Sequence, residues 1–528
     1  MSPMVQKDQD RVLSDTEQVS GKTALRNNVE AAVALSGAVR STLGPKGLDK
    51  LLISAEGDTL VTNDGVTVLE TALVEHPTAK MLISTSRAQD DEAKDGTTST
   101  VILTAELLVN AAELVERGVH PAIISHGFRL CEPIIDEVLN EIAIEAGENE
   151  RLSAVLTALS GKGDDGLREC LANLAHEAAI LIGTGDTEHC RIITECSGNI
   201  RDSELIQGVV LQKSSVHREM PNRHSGGSIL VLDGGLERRK PAIEATLNIT
   251  NLGALDSFNE RERADLQKRV DSLSNAGIDL LITRDGIDDG AHIMLANAGI
   301  IAYRRVERPD IEHVCRATGA RPVYSLEDIN GADVGSFDAL REEKWQGTSH
   351  MILMGAKKQG VTVVLRGSTE MRLEEARRAF DDALGVASQL VEETRLLPGG
   401  GATQIALARR LRRFAETIPG REQMAIEAFA AALEVIPRVL ASNAGLDPID
   451  ELLRATAAQS DSGSAWKGLD VRTGMIVDMS EAAVTEPIRI TRHSIVGATD
   501  AAISVLRIDD ILWAKQDAQE PNWKTEDD

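Results

Sequence analysis

Nowhere in the 528 residues does an uninterrupted apolar run approach the roughly 18 residues that span a bilayer. The opening stretch, MSPMVQKDQDRVLSDTEQ, is polar and lacks the apolar centre of a signal peptide. No membrane partner is expected, and a cytoplasmic location is. Cysteine is scarce: Cys131, Cys170, Cys190, Cys196 and Cys315 are odd in number and scattered, with no C-x-x-C pair and no nearby His at zinc-ligand spacing. They read as reduced thiols. Basic residues are outnumbered, 56 Lys and Arg against 83 Asp and Glu, and a formal charge of −27 presents no basic face to a phosphate backbone. Nucleic acid is excluded as a partner. Aromatic residues make up only 2%, and arginine greatly outnumbers lysine. Such a carboxylate-rich surface occurs in ordinary acidic cytosolic proteins, and it is also what high intracellular salt tolerates through short-range screening.

The common catalytic templates are missing too. There is no Walker A run, no G-x-G-x-x-G after a strand, no H-E-x-x-H and no G-x-S-x-G. What is present is a soluble, globular pattern, 42% hydrophobic, in a chain too long for a single domain. Residues 23–42 carry apolar groups at helical spacing and stop at Leu43-Gly44-Pro45. Two β-like runs, 59–62 and 66–69, flank Asn63-Asp64-Gly65 and read as a hairpin. A helix of about five turns is expected from 97, with Thr97, Thr98 or Ser99 capping its start. From 205 to 365 β-like runs alternate with helical stretches, which predicts an α/β region. Within it the charged stretch 256–277 reads as a solvated surface helix, or else as an exposed projection. A helix over 368–393 leads to Pro398-Gly399-Gly400-Gly401, and helices dominate again beyond. The ends resemble each other more than either resembles the middle. That pattern predicts a helical domain built from both termini, interrupted by an α/β insertion, with hinge segments at the crossings. The last nine residues, EPNWKTEDD, are expected to form a disordered acidic tail.

Candidate chemistry lies in glycine-rich turns and isolated acids. In Thr42-Leu43-Gly44-Pro45-Lys46-Gly47 the glycines could admit a phosphate to the backbone amides, although such a run is commonly just a turn. Asp95-Gly96-Thr97-Thr98-Ser99 places a hard oxygen ligand beside hydroxyls and a helix start, which suits Mg²⁺ and phosphate; it is also ordinary helix punctuation. Asp64 sits in a favoured turn sequence, and the 398–401 run could be a linker or a close approach to a ligand. None of these decides alone.

Their order along the chain does. TLGPKG, TNDG, DGTTS, AFDDALGV, LPGGGATQIALA, GREQMAIEAFAAALEVIPRVLASNAGLDPID, GLDVRTGMIVDM and TEPIRI followed by VLRIDDIL together resemble the group II chaperonins, the family of the archaeal thermosome and the eukaryotic cytosolic chaperonin. SGNIRDSELIQGVVLQK and ITRDGIDDGAHIMLANAGIIAYRRV are similar to that family as well. The resemblance implies a multi-domain α and α/β chaperonin fold. Residues 1–145 and 398–528 would form an equatorial ATPase domain, 146–205 and 364–397 an intermediate hinge domain, and 206–363 an apical substrate-binding domain with a helical lid projection near 255–275. It also implies two stacked rings of such subunits, homo- or hetero-oligomeric, enclosing unfolded protein clients. ATP and Mg²⁺ are the implied cofactors. Leu43, Gly44 and Pro45 with Gly96, Thr97, Thr98 and Ser99 would hold the phosphates, and Asp95 would bind the metal. Gly400, Gly468 and Glu486 would line the adenosine side, Lys162 would sense phosphate at the hinge, and Asp64 and Asp382 would orient the attacking water. Asp382 would reach the phosphate only on hinge closure, while its neighbour Asp381 reads as a solvated helix-face acid.

Two departures stand out. The family usually has Gly immediately before the metal-binding Asp, where this chain has Lys94, a cation that could pair with Asp95 and weaken its hold on Mg²⁺ or add a phosphate contact. The Gly-Met-rich tail of many thermosome subunits is also missing. The rival to a folding ATPase is therefore a client-holding or ring-completing subunit with little ATP turnover. A small-molecule phosphotransferase would need an acceptor pocket that no motif supplies. Acidity and the preference for arginine suggest a haloarchaeal member.

Overall fold

The structure, a computed structural model, describes residues 16–514 apart from 54–56, 58, 73, 184–186, 238–251, 327–328 and 358–359. The tail expected at 520–528 lies outside the described residues, as does the polar stretch before residue 16. The chain falls into two units, one made of 1–162 and 393–528, the other of 163–392.

The first unit is helical because its segments repeat apolar residues every three or four positions and stop at glycine or proline. Lys22–Arg40, Pro77–Ala93, Thr97–Glu116 and Pro121–Ile142 come from the first segment; Ala402–Ala415, Glu422–Leu433 and Ile488–Leu506 come from the second. Their inward faces share one core, in which Leu107, Phe128 and Leu139 pack with Phe429, Leu433 and Ile495. Phe128 and Phe429 meet edge to face with centroids 5.3 Å apart. Burying each ring contributes about 2–3 kcal/mol, so this pair does much to hold the two ends of the chain together. Thr97–Glu116 is long and apolar enough to cross a membrane by length and composition, yet most of it is buried as the central helix of this core.

The hairpin expected from 59–62 and 66–69 does not form. Thr59–Thr62 pairs antiparallel with Lys50–Ile53 instead, and Gly65–Thr71 is a helix. The Asp64 side chain accepts from the amides of Val66 and Thr67, satisfying donors that a helix start leaves open, and Gly65, Val68 and Leu69 are buried together on one face. Cap and burial outweigh the β preference of a short Val-Thr-Val run.

In the second unit, a sheet runs in the order Ile301–Tyr303, Leu280–Thr283, Gly227–Leu232, Gly335–Trp345, Thr348–Gly355, Val209–Leu211, with Arg223–His224 also on Gly335–Trp345. Its first three strands are parallel and the rest antiparallel. A smaller sheet joins Cys190–Glu195, Val361–Arg366 and Glu204–Gln207, with helices Asp165–Ile182 and Glu370–Glu392 in the same unit. The charged stretch forms helix Leu252–Asn275. It is not wholly solvated, because Leu266, Val270 and Leu273 are buried against Leu281, Ala291 and Leu295. All five cysteines are free thiols.

Candidate functional site

Four short segments of the first unit converge. The loop after Lys22–Arg40 is folded back by Gly47 N–H donating to the Gly44 carbonyl at 2.9 Å and Leu48 N–H to the Ser41 carbonyl at 2.9 Å. Gly44 has φ +83°, and a Cβ there would lie 2.5 Å from Leu440 Cδ2. Leu43 packs on Val435, Ile436 and Val439, and Asn443 Nδ2 donates to its carbonyl at 2.9 Å. The loop is thus held rigidly from below.

The second segment is Asn63-Asp64-Gly65. Asp64 Oδ2 accepts from the Thr67 amide at 2.9 Å and the Thr67 hydroxyl at 2.5 Å, whereas Oδ1 has only a long 3.4 Å contact with the Val66 amide. Gly161 is the third contributor. It takes a bond from Asn63 Nδ2 at 2.9 Å, and a Cβ on it would lie 3.1 Å from the Gly44 carbonyl and 3.6 Å from Pro45 Cα. The next residue, Lys162, is the cation whose charge Asp95 feels.

The fourth segment is 94–99. The helix Thr97–Glu116 starts from Gly96, φ +79°, with no side-chain cap. The cap expected from Thr97, Thr98 or Ser99 is absent because Gly96 takes the capping position and the three hydroxyls fall inside the first turn. Past Gly96 itself, the first amides of this helix therefore lack intrahelical or side-chain acceptors. A Cβ on Gly65 would lie 2.4 Å from Thr98 Oγ1, so the starts of two helices abut. Asp95 Oδ1 accepts from Gly96 N–H at 2.7 Å. Burial pushes the Asp95 carboxyl up; Lys162 and the Gly96 amide oppose this, and charge on Asp64 adds to it. Gln89 fixes the turn, donating to the Asp95 carbonyl at 2.8 Å while its Oε1 meets His493 Nδ1 at 2.7 Å.

Lys94 does not pair with Asp95. Its Nζ lies 3.6 Å from Asp90 Oδ2, one turn back on the same helix. Burial raises the Asp90 carboxyl, Lys94 lowers it, and charge on Asp64 raises it further, which places Asp90 within the same cluster.

A neighbouring group forms around Gly400 and Gly468. Leu469 N–H donates to the Gly400 carbonyl at 3.0 Å, and Gly399 N–H donates to the Val484 carbonyl at 3.0 Å. A Cβ on Gly400, φ +60°, would lie 2.6 Å from the Leu469 carbonyl; one on Gly468 would lie 3.0 Å from the Gly399 carbonyl. Glu486 lies opposite Leu397 in an antiparallel pair. Burial drives its carboxyl up to about 7, with the Thr491 hydroxyl opposing and charge on Asp95 adding. That last influence joins the two groups electrostatically.

The structure thus brings together Leu43, Gly44, Pro45, Asp64, Asp95, Gly96, Thr97, Thr98, Ser99 and Lys162, sets Gly400 beside Gly468, and couples Glu486 to Asp95. Asp382 belongs to the second unit, half-buried on Glu370–Glu392, next to the exposed Asp381. Sequence reasoning missed Asn63, Asp90, Gln89 and Gly161. Asp90 had a signal, standing four residues before Lys94 at helical ion-pair spacing; Gly161 had one in Ser-Gly-Lys-Gly; Gln89 had none. Among the described residues no three His, Cys, Asp or Glu side chains form a metal cage. The donor set suits Mg²⁺ all the same, since that ion binds through one or two carboxylates and completes its shell with water and phosphate oxygens.

A family model described as the TCP-1/cpn60 chaperonin family matches residues 35–516. The chain is 43% identical over 512 residues to thermosome subunit beta of Archaeoglobus fulgidus, covering 95% of this chain and 94% of that one. It is 40% identical over 523 residues to thermosome subunit 1 of Haloferax volcanii, covering 97% and 93%, and 38% identical over 507 residues to thermosome subunit alpha of Halobacterium salinarum, covering 95% and 90%. Identity to these haloarchaeal proteins is no higher than to the Archaeoglobus protein, so the haloarchaeal expectation rests on composition alone.

Proposed function

Since the chain belongs to the TCP-1/cpn60 chaperonin family and is a group II chaperonin, we propose that it is an ATPase subunit of a cytoplasmic double ring that encloses unfolded protein and couples Mg-ATP hydrolysis to lid closure. In this reading 1–145 and 398–528 form the equatorial domain, 146–205 and 364–397 the hinge, and 206–363 the client-binding domain. The observation that carries it is the convergence of an uncapped helix start, a glycine-formed loop, Asp64, Asp95 and Lys162. Uncapped amides beside small backbone turns bind phosphate.

Each residue has a definable task. The amides and hydroxyls of Gly96 to Ser99, with the 43–45 loop, hold phosphate oxygens, and Lys162 senses them. Gly400 and Gly468 let the adenosine side approach backbone, with Glu486 beside it. Mg²⁺, held by Asp95, would neutralise charge developing on the transferring phosphoryl group. Asp64 Oδ1 is the oxygen left to accept from an attacking water, because Oδ2 is taken by Thr67. Asp382 is the second acid that orients the water. The alternative, a client-holding or ring-completing subunit with little ATP turnover, is favoured by Lys94; the pairing of Lys94 with Asp90 instead of Asp95 and the presence of Asp64, Asp95 and Asp382 speak for turnover.

The test is single-turnover ATP hydrolysis by the assembled protein, wild type against Asp382→Ala. A rate at least about 100-fold lower with nucleotide binding retained is expected; equal rates would refute the assignment.

A further inference from the structure

Lys94 carries a cost that glycine would not. It closes helix Pro77–Ala93 in the left-handed region, φ 53° and ψ 5°, where an L side chain crowds its own backbone and glycine does not. The turn needs only the backbone: the Lys94 amide donates to the Asp90 carbonyl, which any residue could supply. What lysine adds is its side chain. A cation at a helix C-terminus is favourable in itself, but the last turn could carry one without left-handed backbone. An outlier of this kind kept beside a site points to a role for the group it holds.

The position of the ammonium is informative. At 3.6 Å from Asp90 Oδ2 it is an ion pair too long for a tight hydrogen bond, and both side chains keep about a quarter of their exposure, 26% and 29%. Asp90 feels the charge of Asp64, and Lys94 adjoins Asp95 in sequence. The cation therefore waits, loosely held, at the edge of the acid cluster. We infer that Lys94 is a second phosphate-binding cation of the nucleotide site, parked on Asp90 and released to the phosphates when nucleotide enters. This rests on the nucleotide site proposed above and adds an affinity-determining residue to it.

The two roles of Lys94, backbone strain and phosphate contact, separate by experiment. Binding of Mg-ADP to the assembled protein is measured by displacement of a trinitrophenyl adenine nucleotide, and the nucleotide-free Tm is measured beside it. Lys94→Gly is expected to weaken Mg-ADP about tenfold, or about 1.4 kcal/mol, while Tm holds or rises. Lys94→Gln, which keeps the strain and loses the charge, weakens binding equally without raising Tm. Asp90→Asn tightens binding, and does so less in the Lys94→Gly background. The differences shrink as salt rises. A dissociation constant within twofold of wild type in both Lys94 variants overturns the role of Lys94 while leaving the site intact. A wild type that binds no Mg-ADP overturns both.

Discussion

Replacing Glu486 with glutamine removes an ionisation that the fold resists. The carboxyl ordinarily titrates at 4.5 and here is pushed up to about 7, chiefly by burial. Between those values the unfolded chain has released a proton that the folded chain keeps, so stability falls as pH rises. The proton-linked contribution is whole below about 4.5 and lost above about 7. At about 1.4 kcal/mol per tenfold, the full span is about 3 kcal/mol. Glutamine has nearly the same shape and stays neutral, so it mimics the protonated form at every pH. The two proteins are expected to have equal stability at acid pH, and the variant is expected to lead by up to about 3 kcal/mol near pH 8, a midpoint higher by about 3–5 °C for a chain of this size. Differential scanning calorimetry without nucleotide, from pH 4.5 to 8 in steps, reads the difference between the two curves. Curves that stay parallel across that range would refute the account of Glu486 as a carboxyl whose ionisation the fold resists.

Asp64 has a capping role and a proposed water-orienting role, which two substitutions separate. Asp64→Ala should cost about 1 kcal/mol of stability through the lost cap, and Asp64→Asn should keep most of it; both should slow ATP hydrolysis about 100-fold, and a fast Asn variant would leave only the cap. Gly400→Ala would put a Cβ 2.6 Å from the Leu469 carbonyl at φ +60°. A loss of about 2 kcal/mol or more is expected, read as a lower denaturant midpoint, and an unchanged midpoint would show that this turn relaxes freely.

The long elements were legible because their cores are regular. Leu373, Ala376, Phe380 and Leu384 recur at helical spacing and are buried on one face of Glu370–Glu392, and the apolar runs of the middle became strands. The misreading at 63–69 has a local cause: three residues of β-branched character are too few to show a period, and the deciding force was the Asp64 carboxylate on two backbone amides. The true partner of Thr59–Thr62 was hidden in a turn-rich stretch whose strand, Lys50–Ile53, has only four residues. Nor could hydroxyls after Gly96 be told from caps without knowing that Gly96 has positive φ. The segments of the site were visible one by one. Their adjacency was not, because contacts such as Asn63 with Gly161, or the influence of Asp95 on Glu486, are made by tertiary packing that leaves no local trace.

The choice of cations at the site follows from what each must do. Forty of the 56 basic residues are arginine, and arginine makes the fixed pairs of the first unit, such as Arg412 with Glu434 at 2.6 Å and Arg438 with Glu106 at 3.0 Å. Its planar fork suits partners that never leave. Yet the cations whose charge Asp90 and Asp95 feel are both lysine, Lys94 for the first and Lys162 for the second. Fully ionised, Asp64, Asp90, Asp91, Asp95 and Glu486 against those lysines leave that neighbourhood negative; burial is what chiefly raises the carboxyls of Asp90, Asp95 and Glu486, and a neighbouring acid raises each of them further. A nucleotide phosphate entering such a place needs a divalent cation with it, and it needs protein cations that can swing from carboxylate to phosphate and back in every cycle. A compact ammonium on a flexible stem can do that; a guanidinium locked in a two-pronged pair would have to break both bonds each time. In the proposed reading, a chain that prefers arginine elsewhere keeps lysine where the partner comes and goes.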